Sequence, residues 1–121
     1  MGERAMATTL SERRCEVCHA GMPALTATEI APLLAQLDPG WVVAGETRLS
    51  RTYRVRDFLA AVDFVNRIAP VVEEEGHHPI LEVRWGAVRV DLWTHAIDAL
   101  TDNDFILAAK FDRVYRALPQ P

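Results

Sequence analysis

The segment ILEVRWGAVRVDLWTH, residues 80–95, has the clearest secondary-structure pattern in the chain. Gly86-Ala87 divides it into two halves, and apolar side chains alternate along each half. The alternating apolar residues are Leu81, Val83 and Trp85, then Val88, Val90 and Leu92. Such alternation is typical of half-buried strands, and a pair with glycine first is typical of a two-residue hairpin turn. The segment therefore predicts an antiparallel hairpin that turns at Gly86-Ala87.

A helix and another hairpin are predicted near the start of the chain. Thr26 or Thr28 can cap a helix whose apolar residues recur at helical spacing, and Pro39-Gly40 ends it. Residues 41–55 then form two segments rich in β-forming residues, which are separated at Gly45-Glu46. This pattern predicts the first two strands of a sheet.

Two further helices flank the hairpin of residues 80–95. An amphipathic helix begins near Asp57, and Pro70 within it predicts a kink or an early end. The last helix opens with a capping box, Thr101-x-x-Asp104. The order αββαββα predicts an α+β fold, in which a four-stranded antiparallel sheet carries three helices on one face.

Length and charge limit the class of protein. The 121 residues, half of them hydrophobic, suit a single core, so we expect a flexible N-terminal arm (1–24) and a single domain (25–121). Acidic residues outnumber basic ones, 17 to 13, which argues against nucleic acid or a membrane as a partner. No apolar run approaches the roughly 20 residues of a membrane span. We therefore expect a cytoplasmic protein.

Both cysteines of the chain lie in the N-terminal motif CEVCH, residues 15–19. This motif has the spacing that attaches c-type haem, but no export signal or sixth ligand is evident. Cys15 and Cys18 also have zinc-ligand spacing, although the adjacent histidines His77 and His78 do not complete a zinc finger. A redox disulfide between the two cysteines is a further alternative, but the surrounding sequence lacks the strand and helix pattern that would support it. We favour two thiols in the arm and expect no metal and no cofactor.

Three of the four histidines, His77, His78 and His95, lie at the ends of the hairpin segment. A turn at Gly86-Ala87 places His78 opposite His95 on the extended ladder, about 5 Å apart between Cα atoms, with both off the core face. His77 and His78 point to opposite sides of an extended chain, which argues against a three-histidine metal site. Imidazoles titrate near neutral pH, so the cluster is better suited to proton transfer.

The chain resembles the pterin-4a-carbinolamine dehydratase family. The resemblance rests on EEEGHHP (73–79), on Thr94-His95 seventeen residues after the second histidine, and on LTDNDFILAAKFD (100–112). It extends over roughly residues 24–117, and CEVCHAGMPALT is similar to the arm of bacterial members. The resemblance implies a four-stranded antiparallel sheet with three helices, assembled into a homodimer or homotetramer.

The reaction that the resemblance implies is dehydration of 4a-hydroxytetrahydropterin, the carbinolamine left by aromatic amino acid hydroxylases. Loss of water across N5 and C4a needs a base and an acid, and no cofactor. By position, His77 and His95 are the acid/base candidates, His78 orients the substrate, and Glu73 and Asp104 are supporting carboxylates. The candidate substrate-binding residues are Gly76, His77, His78, Pro79, Trp93, Thr94, His95 and Ala96.

Some positions depart from the family pattern. Ile80 replaces a commonly acidic residue, and Ala96, Asp98 and Ala99 replace an acidic residue and two glycines after Thr-His. Non-enzymatic relatives also exist, namely a dimerisation partner of a homeodomain transcription factor and a RuBisCO assembly factor. Since a scaffold does not need the histidines, their presence favours the enzyme.

Overall fold

A computed structural model describes residues 9–119 and confirms the predicted fold class and element order. The elements are a 3-10 helix at Leu10–Glu12, α1 (Ala27–Leu34), β1 (Val42–Ala44), β2 (Arg48–Arg54), α2 (Phe58–Glu75), β3 (Ile80–Arg84), β4 (Ala87–Leu92) and α3 (Asp102–Arg116). The strands form one antiparallel sheet in the order β1-β2-β4-β3. Within the described part of the chain, no helix has the length and apolar character needed to cross a bilayer.

The inner strand β4 carries much of the core. Its side chains Val88, Val90 and Leu92 are fully buried, as their alternation predicted. On the same face, Tyr53 of β2 pairs with Val88 and packs against Phe64 of α2, with ring centroids 4.7 Å apart. Burying apolar area of this kind is the main force that holds the helices on the sheet.

The hairpin turn lies one residue earlier than predicted. Arg84 pairs with Ala87, so the turn residues are Trp85 and Gly86, and Gly86 takes the positive φ of 77°. The predicted turn at Gly86-Ala87 and the predicted pairing of His78 with His95 are both wrong. Trp85 lies in the turn and is 75% exposed, so it does not belong to the core face.

Capping side chains set the starts of the helices. Thr26 caps α1, Asp57 caps α2, and Thr101 caps α3 in a capping box with Asp104. Helix α2 runs through Pro70 to Glu75, so it has no early end there. Ile68 and Val72, two residues on either side of Pro70, are buried in the core and hold the helix in place.

The two ends of α3 are attached to different parts of the molecule. Towards its C-terminus, the buried Asp112 carboxylate accepts hydrogen bonds from the Tyr53 hydroxyl at 2.6 Å, from Arg51 at 2.7 Å and from the Trp41 indole at 3.0 Å. This network fixes α3 on β2 and on the start of β1. Consequently the N-terminal turn of α3, which carries Asp104, has a defined position beside the end of β4.

Candidate active site

A small cavity of about 240 Å³ opens where the link from α2 to β3 meets the loop after β4. Its lining residues are Cys18, Gly76, His77, His78, His95 and Ala96. The structure thus brings three of the four histidines to one cavity, although not by the predicted strand pairing. Larger cavities occur elsewhere, but those described contain no histidine.

The direction of the two adjacent histidines is set at the end of α2. Gly76 closes the helix with a φ of 65°, a left-handed conformation that costs other residues about 1–2 kcal/mol. In the segment that follows, His77 is buried at 3% exposure, whereas the His78 side chain is 62% exposed. The two rings also have different partners, Asp104 for His77 and Glu73 for His78.

His77 is held by a buried carboxylate. Its Nε2 lies 2.6 Å from Oδ1 of Asp104, a residue with no exposed surface. A carboxylate accepts hydrogen bonds, so Nε2 carries the proton and Nδ1 of the neutral ring is an acceptor. The imidazolium that forms when Nδ1 gains a proton is therefore stabilised by the charge of Asp104.

Asp104 also joins the loop after β4 to the start of α3. Its second oxygen, Oδ2, accepts from the Thr94 hydroxyl at 2.9 Å and from the Thr101 backbone N–H at 3.0 Å. Thr94 is fully buried, and it pairs with Ala99 to close the loop that carries His95. Asp104 is thus a helix cap and a histidine partner at the same time.

His95 lies on an aromatic platform at the exposed side of the cavity. Its ring stacks on Trp93, with centroids 4.2 Å apart and planes at 23°. The Arg48 guanidinium lies 4.1 Å from the Trp93 ring centroid and pairs with Asp98 at 2.8 Å. Asp98 takes a positive φ of 52°, so this departure from the family pattern is accommodated in strained backbone next to His95.

The remaining predicted residues lie at the rim. His78 Nε2 pairs with Glu73 at 2.8 Å, but both side chains are largely exposed, and such pairs contribute about 0–1 kcal/mol. Ala96 lines the cavity, Pro79 follows the lining residue His78 in the chain, and Trp93 stacks on the lining residue His95. All five predicted catalytic residues therefore lie in or directly behind this site.

Sequence analysis missed that the CEVCH motif forms one wall of the site. Cys18 Sγ lies 3.4 Å from His77 Nδ1. The buried Asn103 side chain holds the segment by accepting from Glu16 N at 2.9 Å and donating to Glu16 O at 2.8 Å. Asn103 sits in the α3 cap next to Asp104, a position where asparagine has no distinctive sequence signal.

Cys15 has a different environment from Cys18. Burial, together with the negative charge of Glu75, raises the pKa of the Cys15 thiol to about 12. The Cys15 backbone N–H donates to Glu75 at 2.8 Å, and Arg14 and Lys110 pair with the same carboxylate. Among residues 9–119, no three His, Cys, Asp or Glu side chains are arranged to hold a metal ion.

Comparison with known proteins identifies relatives of this chain. The sequence profile of a family described as pterin 4 alpha carbinolamine dehydratase matches residues 23–114. Relatives provisionally named pterin-4-alpha-carbinolamine dehydratase occur in Rickettsia canadensis (47% identical, over 87% of this chain and 96% of the relative) and in Syntrophotalea carbinolica (49%, over 85% and 94%).

A solved structure gives the same result. The crystal structure titled transcriptional coactivator/pterin dehydratase, from Brucella melitensis, aligns with a TM-score of 0.72 at 30% identity. The alignment covers 77% of this chain and 99% of that chain. The matched profile spans well over half of the residues and includes His77, His78, His95 and Asp104. This chain belongs to the pterin-4a-carbinolamine dehydratase family.

Proposed function

We propose that this protein is a hydro-lyase that converts 4a-hydroxytetrahydropterin to quinonoid dihydropterin by histidine acid/base catalysis. The family and the names of its relatives support the substrate class. The observation that carries the chemistry is the pairing of His77 with buried Asp104 in the same cavity as His95. We further propose that the reaction recycles the pterin of an aromatic amino acid hydroxylase.

The two histidines have environments that suit different tasks. His77 is buried and backed by a carboxylate, which favours accepting the proton of N5. His95 is exposed on its Trp93 platform, so it can donate a proton to the departing C4a hydroxyl and recover one from water. His78 and Glu73 at the rim orient the pterin. No metal or organic cofactor takes part in this scheme.

The decisive experiment follows the decay of freshly generated 4a-hydroxytetrahydropterin in the presence of purified protein. We expect the parent to accelerate the decay over the uncatalysed reaction. His19→Ala is a matched control, because His19 lies outside the cavity lining and should leave the rate unchanged. A parent protein no faster than buffer would overturn the proposal and favour a scaffold of the same fold.

We also propose that the protein forms a symmetric homo-oligomer. Strand β3 is an edge strand, and its backbone edge is open in the described chain. Ile80 and Trp85, on this strand and its turn, are 49% and 75% exposed. Exposed apolar side chains along an open strand edge favour pairing with a second copy.

A further inference from the structure

Both ring nitrogens of His77 are already engaged in the folded protein. Nε2 donates to Asp104 at 2.6 Å, and Nδ1 lies 3.4 Å from Cys18 Sγ. The side chain is 3% exposed, so almost no water reaches the ring. The groups that contact the two nitrogens are therefore well placed to exchange protons with this ring.

Of the two partners of His77, only Cys18 lines the cavity. Asp104 has no exposed surface, and its other oxygen is engaged by Thr94 and Thr101. Cys18 is half-buried and is part of the cavity wall. Cys18 is thus the group of the cavity wall that lies against Nδ1 of His77, with its Sγ 3.4 Å away.

The thiol has a defined orientation. The Asn103 amide donates to Cys18 Sγ at 3.5 Å, so the sulfur acts as an acceptor on that side. Nδ1 of neutral His77 is an acceptor, so the S–H group of Cys18 points towards it and donates. Asn103 is itself fixed by its two hydrogen bonds to the Glu16 backbone. Residues of both the N-terminal arm and α3 therefore position the contact between Cys18 and His77.

We propose that Cys18 relays the proton between His77 and a pterin in the cavity, so that Cys18, His77 and Asp104 work as one unit. This role rests on the dehydration proposed above. As the N5–H bond breaks, its proton passes to Sγ while the S–H proton passes to Nδ1 of His77. The N5–H electrons form the C4a=N5 bond, and the C4a hydroxyl leaves as water with a proton from His95. His77 then loses its proton to water through Cys18, and His95 regains a proton from water.

Cys15 and Cys18 provide a matched pair for the kinetic test. Cys18→Ala should lower kcat at least about 10-fold with KM nearly unchanged, because the relay acts in the transition state rather than in binding. Cys18→Ser should restore part of the loss, since a hydroxyl also donates and accepts. Cys15→Ala should leave the rate unchanged, because Cys15 lies outside the cavity and burial keeps its thiol protonated.

A measurement without substrate tests the contact itself. In nitrogen-15 NMR spectra of the histidine rings, Cys18→Ala should shift the Nδ1 signal of His77 and leave Nε2 protonated, while Cys15→Ala should shift neither. An unchanged Nδ1 signal in Cys18→Ala would overturn the contact. An active parent whose Cys18→Ala variant keeps its kcat would overturn the relay alone. An inactive parent would instead overturn the dehydratase function, and the role of Cys18 with it.

Discussion

At the level of a single residue, substitution of His95 should affect catalysis but not stability. Its side chain is exposed, so truncation leaves no cavity and no unpaired buried group. We expect His95→Ala to lower turnover about 100-fold to 10,000-fold, the usual contribution of one acid or base. The thermal midpoint should stay close to that of the parent, as measured by calorimetry. A variant with parental turnover would show that another group protonates the hydroxyl.

His77 behaves differently, because its loss affects the buried Asp104. His77→Ala should lower turnover as strongly as His95→Ala, but it should also reduce the unfolding free energy by about 1–3 kcal/mol, the cost of an unsatisfied buried polar group. Denaturant titration of the two variants side by side measures the difference. His19→Ala, an exposed histidine outside the cavity, is the control for both. Equal stability of the His77→Ala and His95→Ala variants would contradict the role assigned to the Asp104 contact.

At the level of elements, the hairpin shows what alternation does and does not determine. The strands of residues 80–95 were predicted correctly, because alternating apolar residues require one buried face. The turn was placed one residue late, at Gly86-Ala87 instead of Trp85-Gly86. Moving a turn by one residue shifts every partner by two, so each side chain keeps its face and the hydrophobic pattern is unchanged. The pairing of Arg84 with Ala87 distinguishes the two registers, because Gly86 can take a positive φ in either turn.

The contact between the N-terminal arm and the site could not be predicted from the sequence, for a different reason. Its contacts span long distances along the chain, from Glu16 to Asn103 and from Cys18 to His77. No periodicity or capping rule connects such residues. The motif identifies the histidines and Asp104, whereas the roles of Asn103 and Cys18 depend on contacts in the folded chain.

The attachment of the arm should depend on pH through Glu75. Burial acts to raise the pKa of Glu75, but the Cys15 backbone N–H and the charges of Lys110 and Arg14 outweigh it and lower the pKa below its ordinary value. A lowered pKa stabilises the fold at pH values above the unfolded-state pKa of about 4.3, and this contribution is lost as the pH falls through the lower folded-state value.

We therefore expect the unfolding free energy of the parent to fall more steeply with acidification below about pH 4.5 than that of Glu75→Gln. Denaturant titrations at several pH values measure both slopes. Glu74→Gln is the matched control, because Glu74 is the exposed neighbour of Glu75 and should keep the parental slope. Identical slopes for the parent and Glu75→Gln would contradict the assigned role of this carboxylate.

At the scale of the whole molecule, the open edge of β3 predicts assembly. We expect sedimentation at micromolar concentration to show a dimer or tetramer, and Trp85→Glu to shift it towards monomer, because a charge would enter an apolar contact. Val17→Glu is the control, since Val17 is also exposed but lies in the arm and not on β3 or its turn. A parent that sediments as a monomer would rule out the proposed assembly.

The double attachment of Asp104 has a consequence for reading other members of this family. A carboxylate that caps a helix and closes a loop is retained by selection for folding alone, even after an ancestor has lost its activity. Conservation of Asp104 therefore says little about whether a descendant is an enzyme. His95 has no such structural role, so it can be replaced by genetic drift once catalysis is no longer selected. In a relative of uncertain activity, the residue at the position of His95 is therefore a better indicator of catalysis than the residue at the position of Asp104.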